Sequence, residues 1–391
     1  MRTTKTQLAA LAAVSLLGLS GCAAAEAEEP LGPDGLPQQL VWSTYNVGTG
    51  TYNDLAAIAN TLTTEEGVQV RLMTADTGIG RLAPLVNGTV DYARAGDEYY
   101  YAFEGDYEYA SSEWGPQDIR MVWAPPGNYG LLVREDSGID SFEDLEGKRF
   151  PKLTANTSIN NKMEGFLNYG GLGWEDVEQV PIAYGEQIAG LEGGQIDAMY
   201  QNVVGSNIEE LASKTDVKWL TFDDPDPARY RTWEELAPMV TVGEVTGGAG
   251  MEEGESARVL EYTIPLTTLG SRDADEVHGV VRAVAENFEH YEGTTPDAKQ
   301  FSFEAVLKEP LVVPFHEGTV RYFEERGVWT EELQRKNDAL IERGEKMREA
   351  WPGVVEASSE EDLAANWAAW KKTELDAEPA TETDEGTDDE D

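Results

Sequence analysis

Residues 40–62 read LVWSTYNVGTGTYNDLAAIANTL, and the organisation of the chain follows from them. Leu40, Val41 and Trp42 form a short apolar strand. Residues 43–51 are small, hydroxyl-bearing or amide side chains around Gly48 and Gly50, apart from Tyr45 and Val47. Leu55, Ile58, Ala59 and Leu62 then recur three and four apart, the spacing of one helix face. In a strand–loop–helix unit the first N–H groups of the helix have no partner inside it. They point out of the loop and hold a small anion or carboxylate. Glycines in the loop let backbone approach a ligand closely. Taken alone, the stretch fits an ordinary βα turn equally well.

Working outward, strand-like and helix-like pieces alternate. Residues 67–73 and 90–95 read as strands, 79–86 as a short helix, and 97–103 as a helix or loop. Residues 120–124 and 129–133 are two further strands. The alternation predicts a largely parallel sheet with helices on its faces. Ligands bind beyond the carboxyl ends of such strands, here the tips 43–51, 74–80 and 96–101. A second series follows: a helix at 141–145 capped by Ser141, a strand at 148–153, then the polar loop 154–161 before a helix ending near Tyr169. This loop repeats the logic of the first, although Thr157 or Ser158 also serves as a simple helix cap. A helix at 185–191 and a strand at 196–200 lead to a third polar tip, 201–206. Residues 261–269 read as a strand and 273–290 as a long amphipathic helix, with Val277, Val280, Val281, Val284 and Phe288 on one face.

Composition narrows the function classes. With 391 residues the chain has length for two domains with real cores. The 29 Lys and Arg stand against 74 Asp and Glu, a net charge of -45. Such a surface repels nucleic acid and anionic lipid headgroups. It suits a halophilic, high-salt setting, where screening removes self-repulsion. Arg2 and Lys5 precede an apolar run at 8–19 that is short for a membrane span. The run ends in Leu19-Ser20-Gly21-Cys22, which resembles a bacterial lipobox. Residues 1–21 are thus read as a lipoprotein signal peptide, Cys22 as the lipidation site and 22–39 as a tether. Cys22 is the single cysteine, so no disulfide forms within a chain. Residues 331–372 read as charged C-terminal helices and 373–391 as a disordered acidic tail.

Several stretches together resemble the TAXI group of extracytoplasmic solute receptors, the binding subunits of tripartite (TRAP) transporters. Gly50-Thr51-Tyr52 is similar to that family's Gly-Thr-Tyr after the first strand. Residues 87–93, NGTVDYA, resemble its turn and Asp-Phe-Ala strand. Residues 132–139, LVREDSGI, followed by 142–149, FEDLEGKR, resemble the crossover shared with other periplasmic binding proteins. Residues 191–198, LEGGQIDA, and the segment PFHEG at 314–318 with Arg321-Tyr322-Phe323 complete the likeness, which spans roughly residues 40–330.

The resemblance implies an α/β, periplasmic-binding-protein-like fold: two lobes joined by crossing hinge strands, with the ligand cleft between them. Lobe one is expected at 40–132 and 265–330, lobe two at 133–264, with crossings near 131–134 and 262–268. Hinge closure captures a small organic solute, a carboxylate or amino acid such as glutamate, for a membrane permease. Lobe one would contribute Tyr45, Asn46, Thr49, Gly50, Thr51 and Tyr52, with Gly96, Asp97 and Tyr99 at the facing tip. Lobe two would contribute Thr154, Asn156, Thr157, Ser158 and Asn160, with Tyr200 and Asn202 at its next tip. Arg94 is the one cation near a predicted tip; a ligand role competes there with a solvent-facing position or a pair with Asp91. His316 is expected to be structural. An ABC importer's binding lipoprotein, a sensor and an enzyme on the same fold are the alternatives. The enzyme reading finds little support: His278, His290 and His316 lie outside any HExxH pattern, and there is no Walker loop. No cofactor or metal is called for.

Overall fold

The computed structural model describes residues 31–32, 35–224 and 226–376. The signal peptide, Cys22, most of the tether and nearly all of the acidic tail lie outside the described residues. The first series is β1 (Gln39–Thr44), α1 (Gly50–Glu65), β2 (Gln69–Thr74), α2 (Gly78–Val86), β3 (Tyr92–Arg94), α3 (Glu98–Glu104) and β4 (Ile119–Trp123). The second is β5 (Pro126–Arg134), β6 (Arg149–Leu153), α4 (Thr157–Tyr169), β7 (Glu178–Ile182), α5 (Gln187–Glu192), β8 (Ala198–Asn202), α6 (Ser206–Ala212), β9 (Val217–Trp219), α7 (Arg231–Leu236), β10 (Thr241–Thr246) and β11 (Ser256–Thr263). The chain returns through β12 (Leu266–Leu269), α8 (Ala274–Glu286), α9 (Phe288–Tyr291) and α10 (Glu317–Glu325). It finishes with α11 (Glu331–Ala357) and α12 (Leu363–Glu374).

Two sheets organise these elements. The first has the order β2-β1-β3-β12-β4, and the second β10-β11-β5-β8, with β9 also on β5. In the first sheet β1 runs parallel to β2 and β3, as the β–α alternation predicts. The second sheet departs from the expected parallel build: β10, β11, β5, β8 and β9 all pair antiparallel. Only β6 and β7, set apart as a two-stranded ribbon, are parallel there. Two segments join the sheets. Ala124-Pro125 links β4 to β5, ahead of the crossing expected near 131–134, and Ile264-Pro265 links β11 to β12, inside the expected range. Proline has no N–H for a ladder, so Pro125 interrupts the pairing where the chain changes sheet, and Pro126 opens β5 opposite Thr263. Thr263 Oγ1 donates to the Pro125 carbonyl at 2.8 Å and ties the two crossings together. This is a two-lobed α/β fold with a cleft between the lobes.

The helices form where the apolar spacing places them. Leu55, Ile58, Ala59 and Leu62 of α1 are buried, and Thr49 caps the helix by accepting from Tyr52 N. In α8, Val277, Val280, Val281 and Val284 are buried, with Asp273 accepting from Asp275 N and Glu276 N. The expected run to His290 breaks at Asn287, so Phe288 opens α9. Packing begins ahead of Leu40: Leu36 is buried in the first lobe's core, and a methyl group on Gly35 would meet the Asp275 carbonyl of α8 at 2.7 Å.

The C-terminal helices are part of the first lobe's core. Trp351 of α11 and Trp367 of α12 meet edge to face at 5.0 Å. Trp367 Nε1 donates to the Glu104 carbonyl at 2.8 Å. The buried Glu104 carboxylate, at the end of α3, accepts from Arg343 at 2.8 and 2.9 Å and from Lys371 at 3.0 Å. These cationic donors outweigh burial and hold its carboxyl below the usual range.

Candidate functional site: the cleft between the lobes

A cavity of about 550 Å³ lies between the lobes. The first lobe lines it with residues 45–51, residues 75–77 and Asp297. The second contributes Tyr129, residues 154–156, residues 183–185, Ile188, Gln201, Asn202 and the turn leading into α6. The volume lies within the range of small-molecule sites.

Of the residues read from the sequence, Tyr45, Asn46, Thr49, Gly50, Thr51, Thr154, Asn156 and Asn202 line this cavity. The bulky Tyr45 does enter it. The Arg81 guanidinium stacks on the Tyr45 ring at 3.8 Å, and burial pushes the phenol well above its ordinary range. Asn46 Nδ2 donates to Asp76, and Thr49 Oγ1 donates to the Asn46 carbonyl at 2.9 Å, so the loop is braced before α1 begins. Gly50 and Thr51 open the helix at the cavity wall. Across the cleft Asn156 caps α4 by accepting from Ile159 N at 2.9 Å. Ala155 beside it holds φ +50°, a left-handed conformation that side chains adopt at a cost.

The other expected contacts lie outside the cavity lining, each for a stated reason. Tyr52 sits half-buried along α1, and Thr157 opens α4 behind Asn156. Arg94 neither faces solvent nor pairs with Asp91. It is buried against Asp54 at 3.4 Å and donates to the carbonyls of Thr51 at 2.9 Å and Ile264 at 3.2 Å. Arg272 takes Asp91 instead, at 3.0 Å. Tyr99 is buried in the first lobe's core. Asn160 turns back on the strand before it, accepting from Leu153 N and donating to Leu153 O. Tyr200 lies under the cavity floor, its hydroxyl 2.6 Å from that of Tyr262. Gly96 lies behind Tyr45, where a methyl group would come within 2.9 Å of the Tyr45 hydroxyl.

Asp97 and Ser158, expected to hold a ligand from opposite lobes, meet the same lysine instead. Lys162 of α4 donates to Asp97 in an ion pair whose side chains are both 0% exposed, and to Ser158 Oγ at 3.2 Å. The Lys162 ammonium also lies 4.3 Å from the centre of the Tyr262 ring. Burial pushes the Asp97 carboxyl up, against the pull of Lys162. Further bonds cross the cleft, among them one from the Tyr101 hydroxyl to the Leu236 carbonyl at 3.3 Å. The Tyr101 hydroxyl accepts from Asn161 Nδ2 at 2.9 Å, and Asp297 Oδ2 accepts from Asn202 Nδ2 at 2.6 Å. The lobes are closed on one another.

Reading the sequence missed Tyr129, Tyr184, Gln201 and Asp297. The Tyr184 hydroxyl donates to Gln201 Oε1 at 3.0 Å, fixing both on the second lobe's wall. Asp297 comes from the polar segment after α9. Burial, with the nearby Asp54 carboxylate, raises its carboxyl to about 7, against Arg94 and the Asn202 bond. His316 is structural, as expected. Nδ1 accepts from Gly318 N and Nε2 donates to the Arg272 carbonyl, both at 3.1 Å, which selects one neutral tautomer. Among the described residues no group of acidic, histidine or cysteine side chains is arranged to hold a metal ion. None of the described helices is long and apolar enough to cross a membrane.

Two α/β lobes, paired crossings and a polar cleft define the periplasmic-binding-protein type of fold. Residues 45–327 match the NMT1-like family, and the chain belongs to that family. Solved structures similar to it include the periplasmic aliphatic sulphonate binding protein of Escherichia coli. That match has 13% identity and TM-score 0.40, and covers 77% of this chain and 92% of that one. The alkanesulfonate-binding protein of Xanthomonas axonopodis pv. citri, bound to MOPS, matches at 15% identity and TM-score 0.41, covering 76% and 96%. An amino acid ABC transporter substrate-binding protein of Streptococcus pneumoniae, bound to L-arginine, matches at 15% and 0.39, covering 68% and 94%. The comparison with curated proteins returns no match.

Proposed function

We propose that this chain is the extracytoplasmic solute receptor of a TRAP transporter of the TAXI kind. It captures a small organic solute, a carboxylate or an amino acid, by hinge closure and hands it to a membrane permease. The observation that carries this reading is the cavity of about 550 Å³ closed between two lobes that are joined by two short crossings and bonded across the cleft. Such a site admits its solute only when the lobes part, and closure follows from tighter binding to the closed form. The TAXI assignment is supported by the motifs around Gly50-Thr51-Tyr52 and His316. In this reading Cys22 carries the lipid that holds the receptor at the outer face of the membrane, and residues 22–39 are its tether. The lobes divide at the two crossings, with α11 and α12 attached to the first.

A thermal-shift screen of the protein against amino acids, dicarboxylates and aromatic acids tests the reading. A ligand that binds only the native state adds about 2.7 kcal/mol at a hundredfold excess over Kd. A shift confined to one compound class, and diminished by Asn156→Ala or Thr51→Val, is the expected result. Turnover of a compound without stabilisation overturns it. Uptake after reconstitution with a permease separates the transporter types: a TRAP partner needs no ATP, whereas an ABC partner does.

A further inference from the structure

The cavity walls carry charge of one sign. Their ionisable carboxylates are Asp76 and Asp297, and among the described lining residues there is no Lys, Arg or His. The nearby cations are paired behind the wall: Arg94 with Asp54, Arg81 with Glu98 and Lys162 with Asp97. Asp76 is exposed and engaged by Asn46. Asp297 lies deeper. Its Oδ2 accepts from Asn202, and its Oδ1 is buried with no protein donor. Asp54 stands close enough to add to the negative field around it. A void of about 10 Å³ on the Arg94 side of Asp297 has room for a single water at most, and of the two cavities that Asp297 lines the main one alone has room for a solute. The rings of Tyr45, Tyr129 and Tyr184 line the same space, and aromatic faces attract cations. The N–H groups that open α1 and α4 at the wall can receive one carboxylate, but no lining cation offsets a second negative charge beside Asp76 and Asp297.

Building on the receptor reading, we propose that the solute bears a positively charged nitrogen and that Asp297 is the residue that receives it. The charge class is therefore a cation or a zwitterion such as an amino acid, and not a dicarboxylate. The tyrosines form the wall around the charged group, and Asn202 holds the carboxylate in place from the opposite lobe.

Isothermal titration of the full chain with putrescine, choline, L-arginine and succinate tests this. At least one of the three nitrogen cations binds, and succinate does not. Asp297→Asn weakens that binding on the order of 10–100-fold, the weight of a hydrogen bond to a charged group. Asp76→Asn, at the exposed rim, weakens it by less than about fivefold. Asp297→Glu keeps the charge and retains binding, which separates loss of charge from loss of fold. Binding of succinate without binding of any cation overturns the charge assignment and leaves the receptor reading standing. Cation binding that is undiminished in Asp297→Asn overturns the role of that residue. Silence from all four probes and from the wider solute screen removes the receptor reading, and this inference with it.

Discussion

Replacing Lys162 with Met removes the positive half of an ion pair whose two side chains are fully buried. Met keeps the length of the stem, so packing against the Tyr262 ring survives. Asp97 is then left buried without its cation, beside Ser158 and Glu98, and must either take up a proton or bear an unpaired charge; its Oδ1 already lacks a donor. Removing one partner of a buried pair costs about 3–5 kcal/mol, while replacing both with apolar groups of similar size is near neutral. Lys162 and Asp97 belong to different lobes, however, so the chain has an exit short of unfolding. Parting the lobes hydrates Asp97. The loss is therefore expected to divide between unfolding free energy and a larger open population, which weakens solute binding in proportion. Urea unfolding followed by tryptophan fluorescence reads the first part, and the radius of gyration from small-angle scattering reads the second. The double variant Asp97→Leu with Lys162→Met is expected to lie within about 2 kcal/mol of wild type. The reasoning is refuted if Lys162→Met changes neither quantity, or if the double variant loses the sum of the two single losses.

The half-buried Asp297 and the buried His316 give opposing pH dependences. Asp297, raised to about 7, binds its proton more tightly in the folded protein, so its contribution is complete below about pH 4 and lost as pH rises through 7. Asp297→Asn should flatten that fall; Asp54, Arg94 and Asn202 are the groups facing it. His316, lowered to about 4, stays neutral where the unfolded chain protonates, so stability is lost as pH falls from 6.5 towards 4. The ceiling is about 3 kcal/mol, and His316→Asn, which keeps the cap, should abolish it in equilibrium unfolding between those pH values. Gly115→Ala should loosen α11, because Gly115 has φ +75° and the added methyl would lie 2.2 Å from Trp351 Nε1. A loss of at least about 2 kcal/mol, with a weakened near-ultraviolet tryptophan signal, is the expected reading. Cys22→Ser should move the protein from the membrane fraction to the soluble fraction and abolish fatty-acid labelling.

The β1–loop–α1 unit was legible because its signals are local. Apolar spacing marks the helix and small residues mark the loop, while the Thr49 cap emerges only in the structure. Strand direction in the second lobe was not, because β5, β8 and β11 pair across 65 to 137 residues and their apolar runs look the same in either direction. The first crossing does carry a local signal, Pro125-Pro126, whereas the motif at 132–139 begins only at the end of β5. At the site, polar residues at strand tips identified the loops that surround the cleft. They did not reveal whether those residues face a solute or one another. Asp97 and Ser158 face Lys162 from opposite lobes, and Arg94 finds its carboxylate 40 positions earlier on α1. Asp297 had no signal at all, since one aspartate among 74 acidic residues is indistinguishable until its surroundings are known.

Helix α3 links two parts of the molecule described separately above. Asp97 stands just before its first residue, inside the cleft, and Glu104 is its last residue, clamped by Arg343 and Lys371 of the C-terminal helices. Seven residues at 1.5 Å each make a strut about 10 Å long, too short to bend appreciably. When the lobes part and Asp97 leaves Lys162, α3 moves with α11 and α12 as one piece of the first lobe. The outer face formed by α11 and α12 therefore turns together with Asp97 relative to the second lobe.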